Sequence, residues 1–134
     1  MRVVIDTNVL VSGVINPHGP PGRIVNAVLS EMIIVLYDDR ILSEYREVLM
    51  RPMFGFQRAD IDVLLEFIEL SGEHTSAEPI AVVLPDATDL PFLEVAVAGR
   101  ADALITGNIK HFNPRRGQHN IRVSRPAEFV RRMA

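Results

Sequence analysis

The sequence predicts an α/β protein, a three-layer α/β/α sandwich around a mainly parallel sheet. Two observations lead there. Short apolar runs of strand length recur along the chain, and stretches with helical periodicity separate them. A third is the punctuation: Gly19–Pro21, Pro52 and Ser71-Gly72 separate these segments. Arg2–Asp6 is an apolar run ending in a carboxylate, as expected of a buried strand. Asn8–Ile15 reads as a short helix. Gly19–Pro21 interrupts, and Gly22–Met32 reads as a second helix with Ile24, Val25, Val28 and Leu29 on one face. Ile33–Tyr37 is a second strand. Asp38 or Asp39 can cap the next helix, which stops near Met50 because Pro52 follows. Arg58–Leu70 is amphipathic and ends at Ser71-Gly72. Residues 73–85 suggest one or two short strands. Asp89–Gly99 is a helix, Ala103–Thr106 a strand, 107–120 a polar loop, Ile121–Ser124 a last strand and Pro126–Met133 a closing helix.

The 134 residues fit one domain, 1–134, and 48% of them are hydrophobic, enough for a core. There is no cysteine, so disulfides and thiolate metal sites are excluded. A metal site must then use oxygen or histidine ligands, and the oxygen donors favour Mg2+ or Mn2+. No apolar run reaches the roughly 20 residues that cross a bilayer. The N-terminal MRVVIDTNVLVSG superficially resembles a signal peptide, but Asp6 interrupts it and no cleavage site follows. The expectation is a cytoplasmic protein without membrane contact. Charge is unevenly spread. Residues 1–99 carry six basic and fifteen acidic side chains, a net −9, and residues 100–134 carry eight and two, a net +6. An acidic site beside a basic surface suits a metal-dependent enzyme acting on phosphodiesters. A segment that merely happens to be basic reads the same way, and both readings stay open.

Three carboxylates sit where packing does not explain them. Asp6 directly follows a strand and begins Asp6-Thr7-Asn8, where an Asx turn or a helix cap is the ordinary alternative. Asp89 starts its helix on the stripe of Phe92, Leu93, Ala96 and Val97. The helix dipole explains an acid in that turn but not on that face, so function is preferred. Asp86 lies outside the helix and is the weaker candidate. Glu44 lies on the shoulder of an apolar arc formed by Ile41, Leu42, Tyr45, Val48 and Leu49. It can reach a cleft at the helix edge, although spacing alone favours a solvated surface acid. Glu47 points further away.

Other motif classes fail. There is no G-x-G-x-x-G, P-loop or G-x-S-x-G elbow. His18, His74, His111 and His119 lack H-E-x-x-H spacing and read as surface or loop residues rather than ligands. Phe54 and Phe56 beside Gly55 could stack on a base, but more often pack beneath a loop.

Four segments together resemble one known family. Val3-Val4-Ile5-Asp6-Thr7-Asn8-Val9-Leu10, Leu42-Ser43-Glu44-Tyr45-Arg46-Glu47-Val48-Leu49, Asp89-Leu90-Pro91-Phe92-Leu93-Glu94-Val95-Ala96 and Ala101-Asp102-Ala103-Leu104-Ile105-Thr106-Gly107-Asn108 look like a PIN domain. The similarity spans nearly the whole chain and points to the prokaryotic branch of toxins paired with antitoxins. It implies a Mg2+- or Mn2+-dependent ribonuclease whose catalytic and metal-binding acids fall on Asp6, Glu44 and Asp89. Thr106 matches a hydroxyl often found at the end of the fourth strand. Asn108 departs from the pattern, because many members have a fourth aspartate there; its amide carbonyl can accept but carries no charge, which puts a tightly held second metal in doubt. On the same resemblance Thr7, Asn8, Thr106 and Asn108 support the ligands or touch phosphate, and Lys110, Arg115 and Arg116 contact the RNA backbone. The expected partners are RNA and an antitoxin protein, with a homo-oligomer as a further option.

Rival readings remain. A haloacid-dehalogenase-like phosphatase also begins with a strand and an Asp, but wants a second Asp where Asn8 stands. A receiver domain wants adjacent acids near the end of the first strand, and they are missing. A non-catalytic PIN-fold module that binds RNA or a partner is supported by Asn108 alone. RNA processing without an antitoxin is the other option, and a small neighbouring gene with a DNA-binding motif would argue against it.

Overall fold

The computed structural model describes residues 1–112 and 121–133. Its sheet has five strands, all parallel: β1 (Arg2–Ile5), β2 (Ile34–Tyr37), β3 (Glu73–His74), β4 (Ala103–Ile105) and β5 (Val123–Ser124). Their order is β3-β2-β1-β4-β5. β1 is central and pairs with β2 through Arg2↔Ile34 and with β4 through Val4↔Leu104. Strands buried on both faces need apolar residues at consecutive positions rather than alternating ones. Val3, Val4, Ile5, Ala103, Leu104 and Ile105 meet that need and are all buried.

The helices are α1 (Thr7–Ile15), α2 (Pro20–Leu29), α3 (Asp39–Leu49), α4 (Arg58–Ser71), α5 (Leu90–Gly99), α6 (Ile109–Phe112) and α7 (Pro126–Met133). α3, α4 and α5 pack on the strands and on one another, while α2 lies between α1 and α7. The architecture is the expected three-layer α/β/α sandwich. From β1 the chain winds outward to β2 and β3, then returns across the sheet to β4 and β5. The reversal falls between β1 and β4, and such a switch opens a crevice beyond the carboxyl ends of the strands. Asp6 and Thr106 stand there.

Several boundaries differ from expectation for local reasons. α2 begins at Pro20, because two prolines fit the first turn, where no N–H donor is needed. Asp38 is the cap of α3; its side chain accepts from the Ile41 amide at 3.0 Å. Only Glu73–His74 of the 73–85 stretch forms a strand. The segment after it is instead held by Glu94, whose carboxylate accepts from the Ile80 amide and pairs with Arg40 at 2.7 Å. Residues 109–112, expected within a loop, form the single-turn helix α6, fixed by buried Ile109 and Phe112. Phe54 and Phe56 stack on each other with ring centres 5.7 Å apart.

α2 and α5 each end in the same motif. Beyond α2, Glu31 N–H bonds Val28 and Met32 N–H bonds Ala27; beyond α5, Arg100 and Ala101 repeat the pattern onto Val97 and Ala96. The motif needs a left-handed residue, usually glycine. Here Glu31 (φ 60°) and Arg100 (φ 52°) fill it, at a cost of about 1 kcal/mol each. Glu31→Gly is expected to raise unfolding free energy by about 0.5–1 kcal/mol, measured as a higher urea midpoint at unchanged slope.

Candidate functional site

Asp6 is the residue at which β1 becomes α1. Its amide donates to the Ile105 carbonyl at 2.9 Å, so its backbone continues the pairing with β4. Its side chain makes no capping bond to the helix that follows. Instead it accepts from the Thr106 hydroxyl at 2.7 Å, and the Thr106 oxygen in turn accepts from the Asn108 amide at 2.9 Å. One hydroxyl thus fixes both the first acid and the turn leaving β4. Thr106 is fully buried and Asp6 only 4% exposed.

Glu44 reaches the same crevice from α3. Its carboxylate accepts from the Thr7 hydroxyl. The neighbouring Tyr45 is fully buried, and its hydroxyl donates to the Ile5 carbonyl, pinning α3 against the end of β1. Glu44 is therefore half-buried and directed, not a solvated surface acid. Asp89 closes the short 3-10 turn Ala87–Asp89 that leads into α5 and is 7% exposed. It makes no capping bond to α5, so its side chain is free to turn towards the crevice. One oxygen lies 2.9 Å from Nδ1 of His111.

The three acids share one electrostatic environment. Burial is the main cause that raises the Asp6 carboxyl above the usual range; the Thr106 hydroxyl opposes it and the Asp89 charge adds to it. Burial likewise raises Glu44, against the Thr7 hydroxyl, with the charges of Asp6, Glu47 and Asp86 adding to it. Asp89 is raised by burial, against its bond to His111, with Asp86 and Glu44 adding to it. Buried carboxylates are normally paired with a cation. Among the described residues no arginine or lysine lies within ion-pair distance of Asp6, Glu44 or Asp89; Arg40 pairs with Asp38 and Glu94 instead. A set of carboxylates with no arginine or lysine partner among the described residues, and only the His111 imidazole beside it, fits a hard divalent cation.

The supporting residues divide. Thr7 and Thr106 are buried and hold Glu44 and Asp6. Asn108 contributes its backbone to the Thr106 bond and is half-buried, while Asn8 and Lys110 are exposed. Arg115 and Arg116 lie outside the described residues. Two residues set aside on sequence grounds do enter the site. His111 sits on α6 against Asp89, and Asp86, whose side chain accepts from Thr88, lies close by. Donor atoms of Asp86, Asp89 and His111 all lie within 4.8 Å of one another. No spacing rule could reveal this, because His111 is 22 residues from Asp89 and arrives through a helix the sequence read as loop.

The sequence model of the PIN domain matches residues 2–110. An uncharacterized protein of Methanocaldococcus jannaschii is 31% identical over 115 residues, 81% of this chain and 71% of that protein. Among solved structures, that of VapBC2 from Rickettsia felis bound to a DNA fragment from their promoter superposes with a TM-score of 0.57. It shares 17% identity, and the match covers 93% of this chain and 98% of that one, a likeness of fold. No helix among the described residues is long and apolar enough to cross a membrane.

Proposed function

The chain belongs to the PIN domain family, whose members are generally nucleases, and from that premise we propose that it is a divalent-metal-dependent endoribonuclease acting as the toxin of a toxin–antitoxin pair. The observation that carries the reading is that Asp6, at the end of β1 and held by Thr106, Glu44, held by the adjacent Thr7, and buried Asp89 have no arginine or lysine partner among the described residues and feel one another's charge. Asp6 and Asp89 would ligate Mg2+ or Mn2+ directly, with Glu44 completing the set. When bound, the ion would supply charge neutralisation at the phosphoryl oxygens and a lower pKa for attacking water. The chain's own residues do the rest. Thr106 holds the Asp6 carboxylate in one orientation. Thr7 holds Glu44, which orients the attacking water. Asn8 and Lys110, both exposed, and half-buried Asn108 would contact the phosphate backbone. RNA is preferred over other phosphodiesters on the family resemblance, and the toxin role rests on the same ground. On this reading residues 1–134 work as one nuclease domain.

Single-stranded RNA should be cleaved in Mg2+ or Mn2+, and cleavage should stop with EDTA. Undiminished cleavage in EDTA would sink the metal mechanism. An antitoxin is expected to cover the anionic crevice with an inserted guanidinium. Expression alone should then arrest growth, and co-expression of the neighbouring gene should relieve it. Asn108 specifically favours the alternative of a PIN-fold binding module, since it removes one charge from the site; RNA bound but intact in Mn2+ would support that reading.

A further inference from the structure

We propose that Asp86, Asp89 and His111 form a second cation position beside the Asp6–Glu44 pocket, one whose imidazole donor selects a first-row transition ion of the Mn2+ class over Mg2+. The inference rests on the nuclease reading only through Asp89, which the two positions share.

The geometry is that of adjacent ligands on one ion. Two donors about 2.1 Å from a cation and at right angles lie about 3.0 Å apart. His111 Nδ1 and the Asp89 oxygen are 2.9 Å apart. All three donor atoms lie within 4.8 Å of one another, so one ion can touch them all with little movement. The residues differ in exposure in a useful way. Asp89 is more than nine-tenths buried, Asp86 is exposed and His111 is intermediate. Coordination positions are therefore left open on the solvent side, where a phosphate oxygen or water can enter.

His111 is held in place by more than its contact with Asp89. Its amide donates to the Asn108 carbonyl at 2.9 Å, and its neighbours Ile109 and Phe112 anchor α6 in the core. Asn108 offers no charge, and His111 comes one helical turn later. The donor set therefore changes from all carboxylate to carboxylate plus imidazole. Mg2+ prefers oxygen ligands and near-ideal octahedral geometry, whereas imidazole is a good ligand for transition ions.

Mn2+ bound to the whole protein tests this by pulsed electron paramagnetic resonance. Wild type should show nitrogen-14 modulation of the Mn2+ signal, and His111→Gln should lose it. His111→Gln should bind Mn2+ about 10- to 100-fold more weakly, while Mg2+ affinity, measured by competition, changes by less than about twofold. Asp86→Asn, at an exposed site that does not threaten folding, should also weaken Mn2+ binding. His111→Asp should restore binding but narrow the Mn2+ preference over Mg2+. Wild-type Mn2+ without nitrogen modulation, or unchanged Mn2+ affinity in His111→Gln, overturns the proposal and leaves His111 as a hydrogen-bond partner of Asp89. The two readings fail separately. RNA cleavage without a nitrogen signal removes this one alone; a nitrogen signal with RNA intact in every metal removes the nuclease reading alone.

Discussion

Asp89→Asn is expected to abolish RNA cleavage, to less than about one hundredth of wild type, while leaving the metal-free protein at least as stable at neutral pH. Asparagine has nearly the same shape and can still accept from His111. No capping bond to α5 is lost, because Asp89 makes none. The folded-state carboxyl is raised above its usual range by burial and by the charges of Asp86 and Glu44. Its contribution to stability is therefore fully present below the ordinary carboxylate pKa of about 4 and is lost as pH rises through the folded value. At neutral pH the ionised side chain costs stability, and the amide removes that cost. A bound cation offsets the same cost in wild type, by an amount that grows with its concentration over Kd. Melting curves in EDTA and in Mn2+ should show wild type gaining strongly with metal and the variant keeping only a small part of that gain. A variant that still cleaves RNA and keeps the full metal shift would place the site elsewhere.

Thr106→Val is the second large effect. Valine matches threonine in shape but removes the hydroxyl that donates to Asp6 and accepts from Asn108 N–H. Leaving buried polar groups without partners costs about 1–3 kcal/mol, read as a lower urea midpoint. Cleavage should fall about 10- to 100-fold, as for other groups that orient a ligand. The pH dependence separates positioning from simple loss of fold. The Thr106 hydroxyl holds the Asp6 pKa down against burial. Without it that pKa rises further, Asp6 stays protonated to higher pH, and the acid limb of the rate profile moves up. Thr106→Ser, which keeps the hydroxyl, should restore the profile. A profile that stays put in Thr106→Val would show that the residue only fills space.

Much of this was legible from residue types and periodicity. The parallel sheet follows from the apolar runs, and Asp6 was visible as an acid directly after a buried strand. The alignment of Asp89 with one apolar stripe carries little information. α5 buries Phe92, Leu93, Val95, Ala96 and even Glu94, so nearly any direction at its head faces packed protein. What singles out Asp89 is the absence of a capping bond, which only coordinates reveal. The half-buried position of Glu44 was not legible, because helical periodicity measures direction from the core and knows nothing of neighbours; Thr7 and Tyr45 decide it. His111 was illegible for a different reason. α6 is one turn long, too short for any period to register, and it forms because Ile109 and Phe112 have a core to enter.

The bond between Thr106 and Asp6 spans one hundred residues of sequence. At about 5–20 residues per second, the ribosome makes Thr106 some 5–20 seconds after Asp6. Until then β1 lacks its β4 neighbour, and the first acid has nothing to orient it. A chain cut short between Asp89 and β4 carries all three acids but lacks the strand and the hydroxyl that hold Asp6 in place. If the proposed RNA cleavage is this protein's activity, the site is completed only after almost the whole described chain has been made, so chains truncated before β4 are expected to be inactive.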